Sequence, residues 1–128
     1  MRTPEEARAV LAQSRKREVD GILAPWSLSL NIPGLILEAA TQQGIATMFS
    51  STFFPEERGA LASYAPDTHE TGKQAARLVD KILKGAKPAD IPVEVNSKIE
   101  FVINLKTAQA MGLTIAPEVL FQADRIIR

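Results

Sequence analysis

The chain has 128 residues, 45% apolar and 23% charged, a composition that fits one globular unit able to bury a core and excludes a disordered chain. Its 15 Lys plus Arg balance 15 Asp plus Glu, so no basic stripe argues for nucleic acid or for steering of a polyanion. With no cysteine, disulfides and thiolate metal sites are excluded. No apolar run approaches the roughly 20 residues that a membrane-crossing helix needs.

Met1-Arg2 is followed at once by Thr3-Pro4-Glu5-Glu6, with Thr as cap, Pro in the first turn and Glu at the capping-box position. This is a helix start and not the basic and apolar opening of a signal peptide, so the chain is expected to begin inside a fold. Ala7, Val10, Leu11 and Ser14 share one helical face, and Arg15-Lys16-Arg17-Glu18 reads as its solvated end. The run 19–24, VDGILA, ends before Pro25 and predicts a strand buried between helices. After the loop 26–30, Asn31 can cap a helix whose Ile32, Leu35, Ile36, Ala39 and Ala40 lie on one face and which Gly44 stops. The run 45–49, IATMF, predicts the next strand, and 50–58 a loop.

A third strand is expected over 60–64, followed by a turn at Ala65-Pro66. Asp67 then launches a helix, with Glu70 three residues on. Ala75, Ala76, Leu78, Val79, Ile82 and Leu83 give that helix an apolar stripe, and Lys81 and Lys84 suit the negative end of its dipole. Gly85 can take the left-handed cap conformation, while Pro88 and Pro92 prevent continuation. The run 99–104, IEFVIN, predicts a fourth strand.

Helices alternating with short apolar strands predict an α/β fold, a three-layer lobe built on a parallel sheet. Ligands in such sheets sit beyond the carboxyl ends of the strands, which selects the loops 25–30 and 50–58 and the junction 63–67. Trp26, Phe53, Phe54 and Tyr64 offer flat apolar faces there, and Ser27, Ser50, Ser51 and Thr52 offer neutral hydrogen-bonding groups. Trp26 fits a packing role as well as a ligand face, Phe53-Phe54 fits a cover over the sheet end, and Asp67 fits a helix cap as well as a ligand contact. His69 is the one histidine and has no companions at metal-ligand spacing, and Glu56-Glu57 has no obvious third ligand. No nucleophile elbow, phosphate loop or dinucleotide fingerprint is present, so no catalytic residue, metal or cofactor is expected.

Three stretches carry a resemblance: 82–94, ILKGAKPADIPVE; 101–116, FVINLKTAQAMGLTIA, with Pro117; and 123–127, ADRII. With Ser63-Tyr64-Ala65-Pro66-Asp67, where Ala65 replaces a glycine, they resemble the carboxyl-terminal part of the substrate-binding proteins of ABC uptake transporters. The resemblance implies a type I periplasmic-binding-protein-like fold, of which this chain is the carboxyl-terminal portion. Residues of about 3–51 would belong to the carboxyl-terminal lobe, about 67–90 would form a helix and connector toward an amino-terminal lobe, and 92–128 would be the return crossing and terminal segment.

It further implies a non-enzymatic role in the extracytoplasmic space, enclosing a small polar organic solute such as an amino acid and presenting it to an ABC permease. Trp26, Ser27, Ser50, Ser51, Tyr64 and Asp67 are the expected ligand residues. The apolar stripe around Leu78, Val79 and Ile82 would lack its covering sheet, so self-association is expected. A free-standing flavodoxin-like α/β signalling or enzyme domain would need an acidic or phosphate-binding loop that is not found. A self-associating remnant without solute binding is the other alternative; with no signal peptide in the chain, a genuine start at Met1 would make it cytoplasmic.

Overall fold

The computed structural model describes residues 3–13, 18–25 and 32–128. In chain order it holds α1 (Pro4–Gln13), β1 (Gly21–Ala24), α2 (Ile32–Gln43), β2 (Ala46–Phe49), α3 (Phe53–Glu57), β3 (Ala62–Pro66), α4 (Thr68–Leu83), a 3-10 turn (Pro88–Asp90), β4 (Ile99–Asn104), α5 (Leu105–Ala110), α6 (Pro117–Gln122) and β5 (Arg125–Ile127). The five strands make one sheet in the order β1-β2-β3-β4-β5. The chain divides into two compact units, Met1–Ala65 with Glu100–Arg128, and Pro66–Ile99.

In the first unit, β1 and β2 pair in parallel with Gly21 beside Ala46 and Ala24 beside Phe49, and β2 and β3 with Phe49 beside Ser63. β4 and β5 are also parallel, Val102 lying beside Arg125 and Asn104 beside Ile127. One pair departs from the all-parallel expectation. The Asn104 N–H donates to the Leu61 carbonyl and the Asp67 N–H to the Lys98 carbonyl, so the index rises on β3 as it falls on β4, the antiparallel sense.

The helix starts and stops follow from local chemistry. Thr3 Oγ1 accepts the Glu6 N–H at 3.2 Å, which caps α1. Gly44, at φ 65°, ends α2, and the Ile45 N–H reaches back to the Ala40 carbonyl at 2.8 Å, satisfying an end carbonyl as an αL cap does. The expected Asn31 cap, Ser14 and the basic run 15–17 lie outside the described residues.

Ala7 and Leu11 of α1, Ile36 and Leu37 of α2, Ala24, Phe49 and Ala60 form a continuous buried cluster, with Ile22, Ala39 and Phe54 packed against it. Val10, placed by periodicity on the same face of α1, remains about half exposed. Among the described residues β1 is an edge strand covered on one face only: Leu23, on the other face, keeps 70% of its surface exposed, which corrects the expectation of a strand buried between helices. At the β4 end Val102 and Ile103 are buried, and Ala108 of α5 is buried with them.

Two local expectations are also corrected. The loop expected over 50–58 contains α3, which is too short and too Pro-interrupted to leave a periodic signal. β3 runs two residues further than expected, through Ala65-Pro66, with no turn there and no positive φ at Ala65. Pro66 can stand in the strand because its fixed φ is compatible with extended backbone and the next N–H, that of Asp67, resumes the ladder.

The second unit is α4 with the segment that returns beside it. Asn96 Nδ2 donates to the Asp67 carbonyl at 2.9 Å and to Thr71 Oγ1 at 2.7 Å, and Glu94 stands near Arg77 and Lys81 while accepting from Gln74. Gly85, at φ 100°, closes α4, and the Ala86 N–H reaches the Lys81 carbonyl at 3.0 Å. No residue of α4 is buried.

Candidate functional site

The parallel register brings the carboxyl ends of β1, β2 and β3 to one edge of the first unit. Ala24, Phe49 and Ser63 are successive partners across the three strands, and the Ser50 N–H extends the pattern by donating to the Ala24 carbonyl at 3.2 Å. Beyond that line come Ser50 and Ser51, just after β2, and Tyr64 on β3. Trp26 and Ser27, which follow Pro25 in the sequence, lie outside the described residues.

Ser50 and Ser51 are half-buried, and the Ser51 carbonyl accepts the Phe54 N–H at 3.4 Å as α3 begins. That turn carries an aromatic group. Phe49 and Phe54 stack with ring centres 4.2 Å apart, Phe53 stands edge-on to Phe54 at 5.6 Å, and the Arg58 guanidinium lies over the Phe53 ring at 5.6 Å. Phe49 and Phe54 thus serve the core, whereas Phe53 is about half exposed.

Tyr64 is 58% exposed, its ring edge-on to Phe101 at 6.1 Å. Its neighbour Ser63 is fully buried, and among the described residues Ser63 Oγ has no hydrogen-bond partner. A buried hydroxyl without a partner costs about 1–3 kcal/mol, and sequence reasoning had no means of finding it, because alternation alone gives a residue's face and not its partners.

Asp67 belongs to the second unit, where both its oxygens are engaged. Oδ1 accepts the N–H groups of His69 at 2.9 Å and Glu70 at 3.1 Å, and Oδ2 lies 2.8 Å from Lys98 Nζ. The Lys98 hydrogen bond, followed by those from the Glu70 and His69 amides, outweighs partial desolvation and lowers the Asp67 carboxyl to about 2. In the structure it caps α4.

A buried residue that sequence reasoning missed supports the other end of the first unit. Asn104, the last residue of β4, donates from Nδ2 to the Pro55 carbonyl at 2.9 Å and accepts the Thr107 N–H at 3.1 Å as the cap of α5. An Asn directly before Leu-Lys-Thr at a strand end carried the capping signal; the contact with α3 is tertiary.

A groove of about 900 Å³ also opens between α1, α2 and α3, bordered by Arg8, Leu35, Glu38, Phe53, Phe54 and Arg58. Ser50, Ser51 and Tyr64 do not line it. Among the described residues no group of three or more His, Asp or Glu could hold a metal ion, and no helix is long and apolar enough to cross a membrane.

Comparison with known proteins assigns this architecture. Residues 5–127 match the sequence model of the ABC transporter substrate binding protein family. Among solved structures, the chain is similar to the ABC domain in complex with L-Trp from Streptococcus pneumoniae, at 34% identity and a TM-score of 0.80 over 96% of this chain and 42% of that one. A conserved domain protein from Vibrio cholerae gives 30% identity and a TM-score of 0.77, covering 95% of this chain and 40% of that one. A ligand-free, open substrate-binding protein with adhesive properties from Clostridium difficile shares the fold at 19% identity, with a TM-score of 0.64 over 98% of this chain and 41% of that one. Among curated proteins none matches. The chain therefore spans about two fifths of the length of the structures it resembles. With the family match running over nearly every residue and a mostly parallel α/β sheet of the same shape, the chain belongs to the ABC transporter substrate binding protein family.

Proposed function

We propose that this chain supplies one side of a solute-binding cleft for ABC-type uptake, with an amino acid or similar small polar organic molecule as cargo. The observation that carries the reading is the likeness, at 34% identity and a TM-score of 0.80, to a domain whose structure holds L-Trp. The proposed ligand residues are Trp26, Ser27, Ser50, Ser51, Tyr64 and Asp67. Exposed aromatic surface and neutral hydroxyls suit a zwitterion with an apolar side chain, since the rings take the apolar part and the hydroxyls and amides orient the polar part.

In this reading the role is binding without catalysis, in the extracytoplasmic space, and the partner is an ABC permease. Residues of about 3–51 form part of one lobe, 67–90 the helix and connector toward the other, and 92–128 the return crossing. The division of the chain into Met1–Ala65 with Glu100–Arg128 and Pro66–Ile99 supports a crossing near these positions.

A half cleft leaves a ligand half solvated, whereas effective pockets bury about 70–90% of it, so the chain alone binds weakly. Amide chemical-shift titration with a panel of L-amino acids is expected to move Ser50, Ser51 and Tyr64 at millimolar concentration. In the chain joined to the polypeptide that completes its relatives, Trp26→Ala and Tyr64→Ala are expected to weaken binding by about 1–3 kcal/mol through lost apolar contact. Unchanged affinity in both variants, or shifts confined to the groove between α1 and α3, removes the assignment.

A further inference from the structure

We propose, resting on the solute-binding reading of this edge, that Arg125 is a positioning residue: through Glu56 it fixes α3, and α3 fixes the turn that presents Ser50 and Ser51 to the solute. α3 cannot hold its own place. It has 5 residues, one of them Pro55, and Thr52 before it makes no side-chain cap; a helix so short does not sustain itself in water. Tertiary ties hold it, and they fall on successive residues. Phe54 stacks on Phe49 of β2, the Pro55 carbonyl accepts from Asn104 at the end of β4, and the Glu56 carboxylate pairs with Arg125 of β5.

Strand register brings Arg125 within reach. Ala24, Phe49 and Ser63 are partners across β1, β2 and β3. The bond from the Asn104 N–H to the Leu61 carbonyl sets Ser63 opposite Val102 on antiparallel β4, in agreement with the ring contact of Tyr64 and Phe101, and Val102 lies beside Arg125. Ala24, Phe49, Ser63, Val102 and Arg125 therefore make one row, whose side chains share a face of the sheet. α3 occupies that face: Phe54 covers Phe49 toward one end of the row and Glu56 meets Arg125 at the other, while Ser63 and Val102 between them are fully buried. Glu100, two residues before Val102, lies on the same face and approaches Arg125 Nε at 3.3 Å. One guanidinium thus serves a carboxylate of α3 and a carboxylate of β4, which its planar fork of N–H groups allows.

The turn follows α3 through its backbone. The Ser51 carbonyl accepts the Phe54 N–H at 3.4 Å and the Thr52 carbonyl accepts the Glu56 N–H at 3.2 Å, so a displacement of α3 at Glu56 carries the turn with it. Without the guanidinium, Glu56 and Glu100 also lose their common counter-ion, and like charge drives α3 away from β4. Arg125, Glu56 and Glu100 keep 47%, 28% and 25% of their side-chain surface exposed, so the cluster adds little to global stability and acts on the place of α3.

The test uses the whole chain, with amide hydrogen exchange and an L-tryptophan titration followed by amide chemical shifts. Arg125→Met is expected to speed exchange of the Phe54 and Glu56 amides by about tenfold or more, with the β2 amides and the melting temperature close to native. L-tryptophan should bind severalfold more weakly. Glu56→Gln should reproduce both effects, the double variant should be no worse than either single one, and Arg125→Lys should recover part of the loss. Native exchange at Phe54 and Glu56 in Arg125→Met, with L-tryptophan still bound by the native chain, overturns the proposal alone. Weaker binding in Arg125→Met but not in Glu56→Gln also overturns it, and makes the guanidinium a solute contact. A native chain that shows no L-tryptophan shifts at millimolar concentration overturns the solute reading and this proposal with it, whatever the exchange rates.

Discussion

Asp67 illustrates how one side chain sets a local boundary. Its carboxylate caps α4 through the amides of His69 and Glu70 and pairs with Lys98, which together hold its carboxyl at about 2 against an ordinary 3.8. Because the folded value is the lower one, the charged carboxylate stabilises the fold above the unfolded value. That contribution disappears as the pH falls from about 5 toward 2. Thermal melts across this window are expected to show a steeper acid loss for the native chain than for Asp67→Asn, which keeps a capping oxygen but cannot ionise. Parallel curves would show that the ion pair with Lys98 adds nothing.

At the scale of elements, Asn104 joins three of them: it ends β4, caps α5 and holds the Pro55 carbonyl of α3. Thr107 repeats the tie from the next turn, its Oγ1 donating to the Gly59 carbonyl at 2.9 Å. Removing Asn104 costs the cap, about 1 kcal/mol, and strands the Pro55 carbonyl, about 1–3 kcal/mol more. Urea denaturation of Asn104→Ala is therefore expected to show a loss of about 2–4 kcal/mol, with Asn104→Asp recovering only the capping part. β5 is held in a comparable way. The Asp124 carboxylate accepts the Phe101 N–H at 2.8 Å while the Asp124 N–H donates to the Phe101 carbonyl at 2.9 Å, and Arg125 pairs with Glu56 and Glu100.

For the molecule as a whole, the two units differ in what holds them. The first has the continuous core from Ala7 to Phe49 and the buried Val102 and Ile103; the second relies on caps, Asn96 and the ion pairs of Glu94, with no buried residue on its helix. Exposed ion pairs contribute about 0–1 kcal/mol each, so local opening of Pro66–Ile99 should precede global unfolding. Hydrogen exchange in dilute solution is expected to be faster in the α4 amides of Ala75 to Ile82 than in those of β2 and β4. Equal protection factors would show that α4 unfolds only with the core.

Local chemistry made much of this legible in the sequence. Gly44 and Gly85 end helices because they reach positive φ without strain, Asp67 starts one because its carboxylate takes amide protons, and the apolar runs 45–49 and 99–104 become strands. The stretches 82–94 and 101–116 identified the family as well. Tertiary structure alone decided the rest. β3 and β4 run antiparallel because the chain returns to the sheet from the opposite end, a matter of path and not of propensity. α3 exists because Phe54 finds Phe49 to stack upon, and Asn104 is buried because the Pro55 carbonyl waits for it. Ser63 is sealed because its pleat faces inward at a crowded edge. Periodicity assigns a side chain to a face; only the assembled neighbours decide whether that face is covered, as Leu23 and the stripe of α4 both show.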